Sequence, residues 1–418
     1  MHRQPKYVII VGDGMADYPV EALGGRTPLM AARTPHLDWM TQRGELGRVK
    51  TVPDGFSPGS EIANLSIFGY DPNRYYTGRG PLEAASMDIT LGPDDLAFRC
   101  NLVTLQAQET GLVMEDFSAG HITDKEATQI VVDLNKELGS DEIQFYPGVS
   151  YRHLMVWKDG AARFPGLESL ELTPPHDITD REVSPYLPKT SGLKEEVEEK
   201  ILALMAESQR FLKGHPVNLG REAGGLRPAN SIWLWGQGRS PRMITLKERF
   251  GIEGYVISAV NLLKGIGILA GLEVLDVPGA TGYFDTNYDG KAQYALKGLR
   301  EKDFIYVHVE APDEAGHMGD CRLKIEAIEA FDKKIVGPIL KGMKEFECCK
   351  ILVLPDHPTP ISLRTHAGDP VPYVIYSDGS GLNGHGEAFD EVSARKSTIL
   401  IERGFELIER FLTPCGHG

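Results

Sequence analysis

The chain has 418 residues, a hydrophobic content of 41 % and a net charge of −15, from 59 acidic and 44 basic residues. Nucleic-acid binding by counterion release requires clustered Lys and Arg, so this charge excludes a general nucleic-acid-binding surface. No apolar run reaches the roughly 18 residues that a membrane span needs, and the first residues show no signal-peptide pattern.

Apolar runs in chain order predict the strands of a mainly parallel sheet. These runs are residues 7–11, 255–258, 304–309, 351–354 and 373–376. Helical patterns lie between them, and the clearest covers residues 324–340, with Ile325, Ile328, Phe331 and Ile335 on one stripe. Strands that alternate with helices predict an α/β layer fold.

The middle of the chain has a different pattern. Shorter strands are predicted at residues 99–105 and 153–157, and a charged helix at 193–212. Proline-rich loops separate these elements. We therefore predict a discontinuous domain, residues 1–94 and 231–418, with a second domain of residues 95–230 inserted into it.

Three of the predicted buried strands are followed by acidic residues. Asp13 follows the first strand, Asp313 follows the strand at 304–309, and Asp356 follows the strand at 351–354. In open α/β sheets the ligand site lies beyond the carboxyl ends of the strands. Carboxylates gathered there would repel one another without a cation. The pattern therefore predicts a metal site.

Three histidines accompany these acids. His317 lies four residues after Asp313, which puts both side chains on one face of a helix, His357 follows Asp356 directly, and His366 precedes the next strand. Carboxylate and imidazole ligands together suit Mn²⁺, Zn²⁺ or Fe better than Ca²⁺. Six ligands are too many for one tetrahedral site and predict two metals, as in phosphoryl-transfer enzymes.

A serine stands where a nucleophile would be useful. Ser60 lies at the start of a predicted helix over residues 61–68. One interpretation is an ordinary N-cap. The other is a phosphoryl acceptor, because a helix N-terminus attracts anions and a nearby metal lowers the pKa of a bound hydroxyl. Asn64, one turn later, lies on the same helix face and could donate to a phosphoryl oxygen.

Several longer motifs resemble the cofactor-independent phosphoglycerate mutases of the shorter, archaeal type, within the alkaline phosphatase superfamily. The motifs, in chain order, are MADYPVEALGGRTPL, GSEIANLSIFGYDP, YTGRGPLEAAS, RCNLVTL, DEAGHMGD, LPDH and RTHAGDPVP. The resemblance implies an alkaline-phosphatase-like three-layer α/β core with a mostly parallel sheet and an inserted α+β cap. It also implies two divalent metal ions, with Mn²⁺ expected and Zn²⁺, Mg²⁺ or Co²⁺ possible, and no need for 2,3-bisphosphoglycerate.

The resemblance also implies roles for individual residues. One metal would be held by Asp13, Ser60, Asp356 and His357. The other would be held by Asp313, His317 and His366. Ser60 would be phosphorylated during the interconversion of 3-phosphoglycerate and 2-phosphoglycerate, while a closed cap excludes water.

Basic and polar residues are then needed for the carboxylate and phosphate of the substrate, because a guanidinium fork matches both groups. The candidates for substrate binding are Asn64, Arg99, Asn101, His121, Arg152, Arg227 and Lys264.

Three alternatives to the mutase remain open in the sequence. The motifs SIWLWGQG, VPGATGYFDTNYDGKA and LPDHPTPISLRTH resemble a side branch of the family proposed to phosphorylate homoserine. A metal-dependent phosphohydrolase and a binding protein without catalysis are the others. No GxxxxGK[ST] nucleotide loop is present.

The predicted partner is a small phosphorylated substrate, with no nucleic acid or membrane, and the oligomeric state is open. Five cysteines without a CxxC pair predict free thiols and a cytoplasmic location.

Overall fold

A computed structural model describes residues 5–109, 111–188, 195–377 and 388–413 of the chain. The strands are β1 Lys6–Gly12, β2 Glu45–Val49, β3 Leu96–Gln108, β4 Gly111–Asp116, β5 Ile143–Val149, β6 Arg152–Trp157, β7 Ser231–Gly238, β8 Gly254–Ile257, β9 Glu273–Val274, β10 Phe304–Val309, β11 Cys349–Leu354, β12 Val371–Ser377 and β13 Leu400–Ile401.

The α-helices are α1 Pro28–Ala31, α2 Pro35–Thr41, α3 Ser60–Ile67, α4 Pro72–Tyr75, α5 Arg79–Ser86, α6 Asp124–Leu138, α7 Gly160–Arg163, α8 Glu195–Leu212, α9 Pro216–Ala223, α10 Leu246–Phe250, α11 Asn261–Leu269, α12 Tyr288–Glu301, α13 Ala311–Met318, α14 Cys321–Phe331, α15 Gly337–Gly342, α16 Glu391–Lys396 and α17 Leu407–Leu412. Residues 193 and 194 of the predicted charged helix lie outside the described residues.

The chain divides into two compact units. The first comprises Met1–Tyr76 and Met243–Gly418, and the second comprises Thr77–Arg242. The sequence prediction set the boundaries at 94/95 and 230/231. The second unit of the structure is longer at both ends because α5 and β7 both contact β3 and each other.

The first unit is built on an eight-stranded sheet of order β13-β2-β12-β11-β1-β10-β8-β9. The strands β11, β1, β10 and β8 are parallel neighbours. The strand β12 pairs antiparallel with both β11 and β2. The predicted α/β class with a mostly parallel sheet is confirmed.

Both faces of this sheet are covered, which explains why its central strands are apolar throughout. Val8 and Ile10 of β1 belong to the core cluster that includes helices α12 and α14. On the other face, Tyr306 of β10 stacks on Phe68, which follows α3, with ring centroids 4.0 Å apart. Helix, sheet and helix therefore form three layers.

The helix predicted over residues 324–340 is interrupted. A π-helical turn, Asp332–Val336, separates α14 from α15. The buried Asp332 carboxylate in this turn accepts the backbone N–H groups of His36 (3.3 Å) and Leu37 (2.8 Å), at the amino end of α2. These two hydrogen bonds replace hydrogen bonds to water that the buried Asp332 carboxylate cannot make.

The second unit contains a five-stranded antiparallel sheet. Its order is β4-β3-β6-β5, and β7 pairs with β3. Helix α6 packs on β5 and on α8, and α8 packs on β7. The long central strand β3 therefore pairs with β6 and β7 along residues 96–103 and with β4 along residues 104–108.

Two smaller predictions can be compared with the described residues. Cys100, Cys321, Cys348 and Cys349 are free thiols, and Cys415 lies outside the described residues. None of the helices in the described part of the chain is long and apolar enough to cross a membrane.

Candidate two-metal active site

The acidic residues gather at one edge of the sheet in the first unit because three adjacent parallel strands end there. Strand β1 lies between β11 and β10. Asp13 follows β1 directly, Asp356 lies two residues beyond β11, and Asp313 lies in the first turn of α13, after β10.

One group of candidate ligands consists of Asp13, Asp356 and His357. One ligand atom of each residue lies within 4.8 Å of the others, and all three residues are buried. The Nε2 atom of His357 is 3.6 Å from Asp13 Oδ1 and 3.5 Å from Asp356 Oδ2.

The other group consists of Asp313, His317 and His366, whose ligand atoms also lie within 4.8 Å of one another. Helix α13 carries Asp313 and His317 at positions i and i+4, as predicted, with His317 Nε2 3.2 Å from Asp313 Oδ2. The Nε2 atoms of His317 and His366 are 3.0 Å apart. The carbonyl of Arg364 lies 3.1 Å from Nδ1 of His317, which leaves Nε2 free to act as a ligand.

The two groups are neighbours. The rings of His357 and His366 have centroids 4.2 Å apart. The hydroxyl of Thr359 donates to Asp313 Oδ1 and lies 3.2 Å from His357 Nδ1, so it touches one residue of each group.

The electrostatics of both groups fit a bound cation. Burial, and then the carboxylates of Asp356 and Asp313, raise the pKa of Asp13 well above its usual value. The Oδ1 atom of Asp13 is buried and has no hydrogen-bond partner among the described residues. A hydrogen bond to Asp313 raises the pKa of His317 to about 9. A divalent ion in each group would relieve the carboxylate repulsion and occupy the facing imidazole nitrogens.

Ser60 is the first residue of α3, and Gly59 is the N-cap. The Ser60 hydroxyl therefore does not cap the helix. Its Oγ atom lies 3.2 Å from Nε2 of His357, beside the first group. The amino end of α3 adds backbone N–H groups that have no partner within the helix. The Ser60 hydroxyl thus lies between the amino end of α3, which favours an anion, and the first group of candidate metal ligands.

Asn64, which was predicted to contact substrate, has three hydrogen-bond partners within the protein. Its amide nitrogen donates to the Ser60 carbonyl and to Asp356 Oδ2, both at 2.9 Å. Its amide oxygen accepts the hydroxyl of Tyr306. The side chain is fully buried. In this arrangement Asn64 fixes the first turn of α3 against Asp356.

Two buried residues in the first unit were not predicted. His308 Nε2 lies 3.0 Å from Asp13 Oδ2, and Lys291 Nζ donates to the carbonyl of His308 at 2.9 Å. Burial lowers the pKa of Lys291 to about 8. The sequence did hold a signal, because Lys291 lies at helical spacing with the buried Ala295 and Leu299.

Gly14 is needed for close approach between the ligand loops. Its N–H donates to Asp356 Oδ1 at 3.0 Å. Its φ is +59°, and a Cβ atom would lie 2.4 Å from Asp313 Oδ1 and 2.6 Å from Thr359 Oγ1. Glycine alone fits such a position without strain.

We expect Gly14→Ala to weaken divalent-metal binding by at least ~10-fold, because the methyl group displaces Asp313. The left-handed conformation adds about 1–2 kcal/mol of strain. Gly24→Ala is the matched control, since Gly24 has a φ of +65° but no atom within 4 Å of its would-be Cβ. Titration calorimetry with Mn²⁺ would measure both variants. Equal Mn²⁺ affinity in the two variants would contradict the prediction.

In the second unit, three arginines surround one carboxylate. Arg99 is buried and its Nη1 contacts Glu83 Oε1, which also lies 3.1 Å from Nε of Arg79. Burial, and then the charges of Arg79 and Arg152, lower the pKa of Arg99 to about 10. Nε of Arg99 is buried and has no hydrogen-bond partner in the part of the chain that the structure describes. The cluster gathers three guanidinium groups in one place, and guanidinium groups bind carboxylates and phosphates in bidentate geometry.

The other predicted substrate residues have different surroundings. Asn101 is buried, accepts Trp235 Nε1 at 3.0 Å and donates to the Phe117 carbonyl at 3.3 Å. His121 is exposed with a φ of +50°, and its ring centroid is 6.4 Å from that of Tyr151.

Arg227 and Lys264 form ion pairs at the surface. Arg227 pairs with Glu115 at 3.2 Å and with Asp116 at 2.7 Å. Lys264 Nζ lies 2.6 Å from Asp276 Oδ1. The charges of Arg227 and Lys264 are therefore balanced by neighbouring acids.

The chain is similar to known proteins along nearly its whole length. Residues 41–218 match the family model described as 2,3-bisphosphoglycerate-independent phosphoglycerate mutase. A Methanosarcina barkeri protein with that name is 52 % identical over 96 % of this chain and 98 % of its own length. A Geobacter sulfurreducens protein, named as a probable member, is 51 % identical over 97 % of this chain and 99 % of its own length.

Solved structures agree with this similarity. A Pyrococcus horikoshii protein matches with a TM-score of 0.80 and 29 % identity, covering 98 % of this chain and 97 % of its own. The cofactor-independent phosphoglycerate mutase of Thermoplasma acidophilum matches with a TM-score of 0.64 and 28 % identity, covering 98 % of this chain and 100 % of its own.

Proposed function

The chain belongs to the 2,3-bisphosphoglycerate-independent phosphoglycerate mutase family, and from this premise we propose that it interconverts 3-phosphoglycerate and 2-phosphoglycerate through a phosphoserine at Ser60. The observation that carries the proposal is the position of Ser60 Oγ. It lies 3.2 Å from Nε2 of His357, which forms the first group of buried candidate ligands together with Asp13 and Asp356. The enzyme is then an isomerase that depends on divalent metal and not on 2,3-bisphosphoglycerate.

The two ligand groups are the proposed metal-binding residues. Asp13, Asp356 and His357, with Ser60, hold one ion, and Asp313, His317 and His366 hold the other. Bound divalent ions would neutralise phosphoryl charge and lower the pKa of the serine hydroxyl. We propose Mn²⁺ as the native ion, because carboxylate and imidazole ligands suit it; Zn²⁺, Mg²⁺ and Co²⁺ are the alternatives.

The four free thiols among the described residues support the proposed cytoplasmic location.

The chain's own residues perform the transfer in two reversible steps. The Ser60 oxygen forms a bond to phosphorus while the bond from phosphorus to the C3 oxygen of the substrate breaks, and the proton of the Ser60 hydroxyl ends on that C3 oxygen. The glycerate then turns, its C2 oxygen forms the new bond to phosphorus, the bond to Ser60 breaks, and the proton of the C2 hydroxyl returns to the Ser60 oxygen. Asn64 holds the helix turn that carries Ser60, so that the hydroxyl keeps one orientation during both steps.

The arginine cluster of the second unit is the proposed binding site for the substrate carboxylate. Arg79 and Arg99 both lie over the ring of Trp235, at 5.7 and 5.0 Å from its centroid, and both contact Glu83. This arrangement fixes the guanidinium planes before an anion arrives, which reduces the entropy lost on binding. Arg152 adds a third positive charge.

An assay of the Mn²⁺-loaded protein tests the proposed reaction. The protein is given 3-phosphoglycerate, and 2-phosphoglycerate is detected by coupling to enolase. A parallel reaction offers homoserine and ATP. Formation of 2-phosphoglycerate supports the mutase. Phosphohomoserine without 2-phosphoglycerate would assign the side branch instead, and release of inorganic phosphate alone would assign a phosphohydrolase.

We expect Arg79→Gln to raise the KM for 3-phosphoglycerate by about 10- to 100-fold, since a hydrogen bond to a charged group contributes about 1.5–3 kcal/mol. The kcat should change less, because Ser60 and its surroundings are intact. Arg227→Gln is the matched control, since Arg227 is paired with two acids. Steady-state kinetics would measure both variants. A KM that rises in the control and not in Arg79→Gln would contradict the assignment.

A further inference from the structure

Lys324 of α14 is a charged residue at a fully buried position near the metal-binding loops. Its exposed fraction is 0 %. Its Nζ atom donates to Asp17 Oδ2 at 2.7 Å, to the Thr359 carbonyl at 2.7 Å and to the Ala16 carbonyl at 3.2 Å. An ammonium group has three donors, so all of them have an acceptor.

These three acceptors come from two different loops. Ala16 and Asp17 belong to the loop after β1, which carries the ligand Asp13. Thr359 belongs to the loop after β11, which carries Asp356 and His357. The Lys324 ammonium therefore holds together two loops that are more than 300 residues apart in the chain.

Asp17 strengthens the same connection. Its two carboxylate oxygens lie 3.3 and 3.2 Å from the backbone N–H of Ile361, in the loop after β11. The Thr359 N–H also donates to the Ala16 carbonyl at 3.2 Å. The two loops thus share a buried network of hydrogen bonds centred on one ion pair.

The network reaches both ligand groups through Thr359. While its carbonyl accepts from Lys324, its hydroxyl donates to Asp313 and lies 3.2 Å from His357. The preceding carbonyl, of Pro358, accepts the N–H of Ala367, next to the ligand His366, at 2.8 Å. A shift of this loop would therefore move residues of both groups.

Stability alone does not explain a buried ion pair, because desolvation offsets most of the attraction between the charges. We propose that Lys324 and Asp17 form a positioning pair, which fixes the loops after β1 and β11 so that both ligand groups can bind their divalent ions. The inference rests on the proposed function of these groups as metal sites. Neither residue touches the reacting atoms in this assignment.

The double variant Lys324→Met/Asp17→Asn tests the proposal, because it removes both charges and leaves no unpaired buried ion. We expect its Mn²⁺ Kd to rise by at least ~10-fold in titration calorimetry, with metal-free thermal stability close to that of the wild type. Lys350→Met is the control, since Lys350 is also buried, on β11, and donates to the Thr413 carbonyl at 2.5 Å. It should lower the Tm and leave the Mn²⁺ Kd unchanged.

A double variant that is folded and binds Mn²⁺ as the wild type does would overturn the positioning role. If the double variant does not fold, Asp17→Glu decides the question, because it keeps both charges of the buried pair and displaces the carboxylate by one methylene. The Mn²⁺ Kd is then expected to rise by about 3- to 10-fold, and wild-type affinity would again overturn the proposal. Failure of the proposed function is seen separately, as absence of Mn²⁺ binding in the wild-type protein.

Discussion

Ser60→Ala is expected to lower the kcat for 2-phosphoglycerate formation by at least ~10³-fold, because the acceptor of the phosphoryl group is removed. The fold should persist, since the Ser60 hydroxyl does not cap α3 and its Oγ contacts the side chain of His357. Radiolabelled 3-phosphoglycerate, followed by acid quenching and peptide mapping, should place phosphate on Ser60 in the wild type and leave the variant unlabelled.

Ser57→Ala is a suitable control, because Ser57 has an exposed side chain three residues earlier, in the loop before α3. It should keep both the label and the turnover of the wild type. Labelled phosphate on another residue, or more than a tenth of the wild-type turnover in Ser60→Ala, would contradict the phosphoserine. Thermal denaturation of each variant separates loss of the nucleophile from loss of the fold.

The candidate metal centre could be predicted from the sequence because its signals are local or follow from topology. An acid that directly follows a buried strand reaches the carboxyl edge of the sheet, wherever that strand pairs. The spacing of Asp313 and His317 needs only one turn of helix. Three such strand ends converge whenever the strands are parallel neighbours, as β11, β1 and β10 are.

The residues that the sequence did not reveal are charged residues at buried positions. Lys291 and Lys324 both have exposed fractions of 0 %. A lysine in a helix is ordinarily interpreted as exposed, and its burial depends on acceptors from distant segments: the His308 carbonyl for Lys291, and Asp17 with two carbonyls for Lys324. The spacing of Lys291 with Ala295 and Leu299 places it on the buried face of α12, but a pattern within one helix does not identify the distant acceptors.

The arginine cluster shows the same limit. Arg99 was a candidate by its motif, whereas Arg79 was not. Arg79 and Glu83 are one turn apart on α5, but the packing of α5 on β3 brings Arg99 to Glu83, and the pairing of β3 with β7 brings Trp235 to both arginines. The compact second unit includes β7, which lies beyond residue 230, because β7 pairs with β3. Pairing between segments more than 100 residues apart is a property of the fold and not of either segment.

Removal of divalent ions is expected to abolish turnover and to lower the Tm by about 5 °C or more, since metal that binds only the folded state stabilises it. Asp13, Asp356 and Asp313 would then share a buried region without a compensating cation, and their repulsion favours unfolding. Chelation, dialysis and calorimetry in the presence and absence of Mn²⁺ measure both effects.

Metal content distinguishes the two ligand groups. The wild type should bind two equivalents of Mn²⁺, and His317→Ala about one, because His317 belongs only to the group of Asp313 and His366. His176→Ala, which removes an exposed imidazole of the second unit, should retain two equivalents. One equivalent in the wild type, or two in His317→Ala, would mean that the groups act as a single site. Ser60 lies beside the group of Asp13, Asp356 and His357, which His317→Ala leaves intact. This variant should therefore still accept phosphate slowly on Ser60. Such residual labelling would distinguish the roles of the two groups in the reaction as well as their metal content.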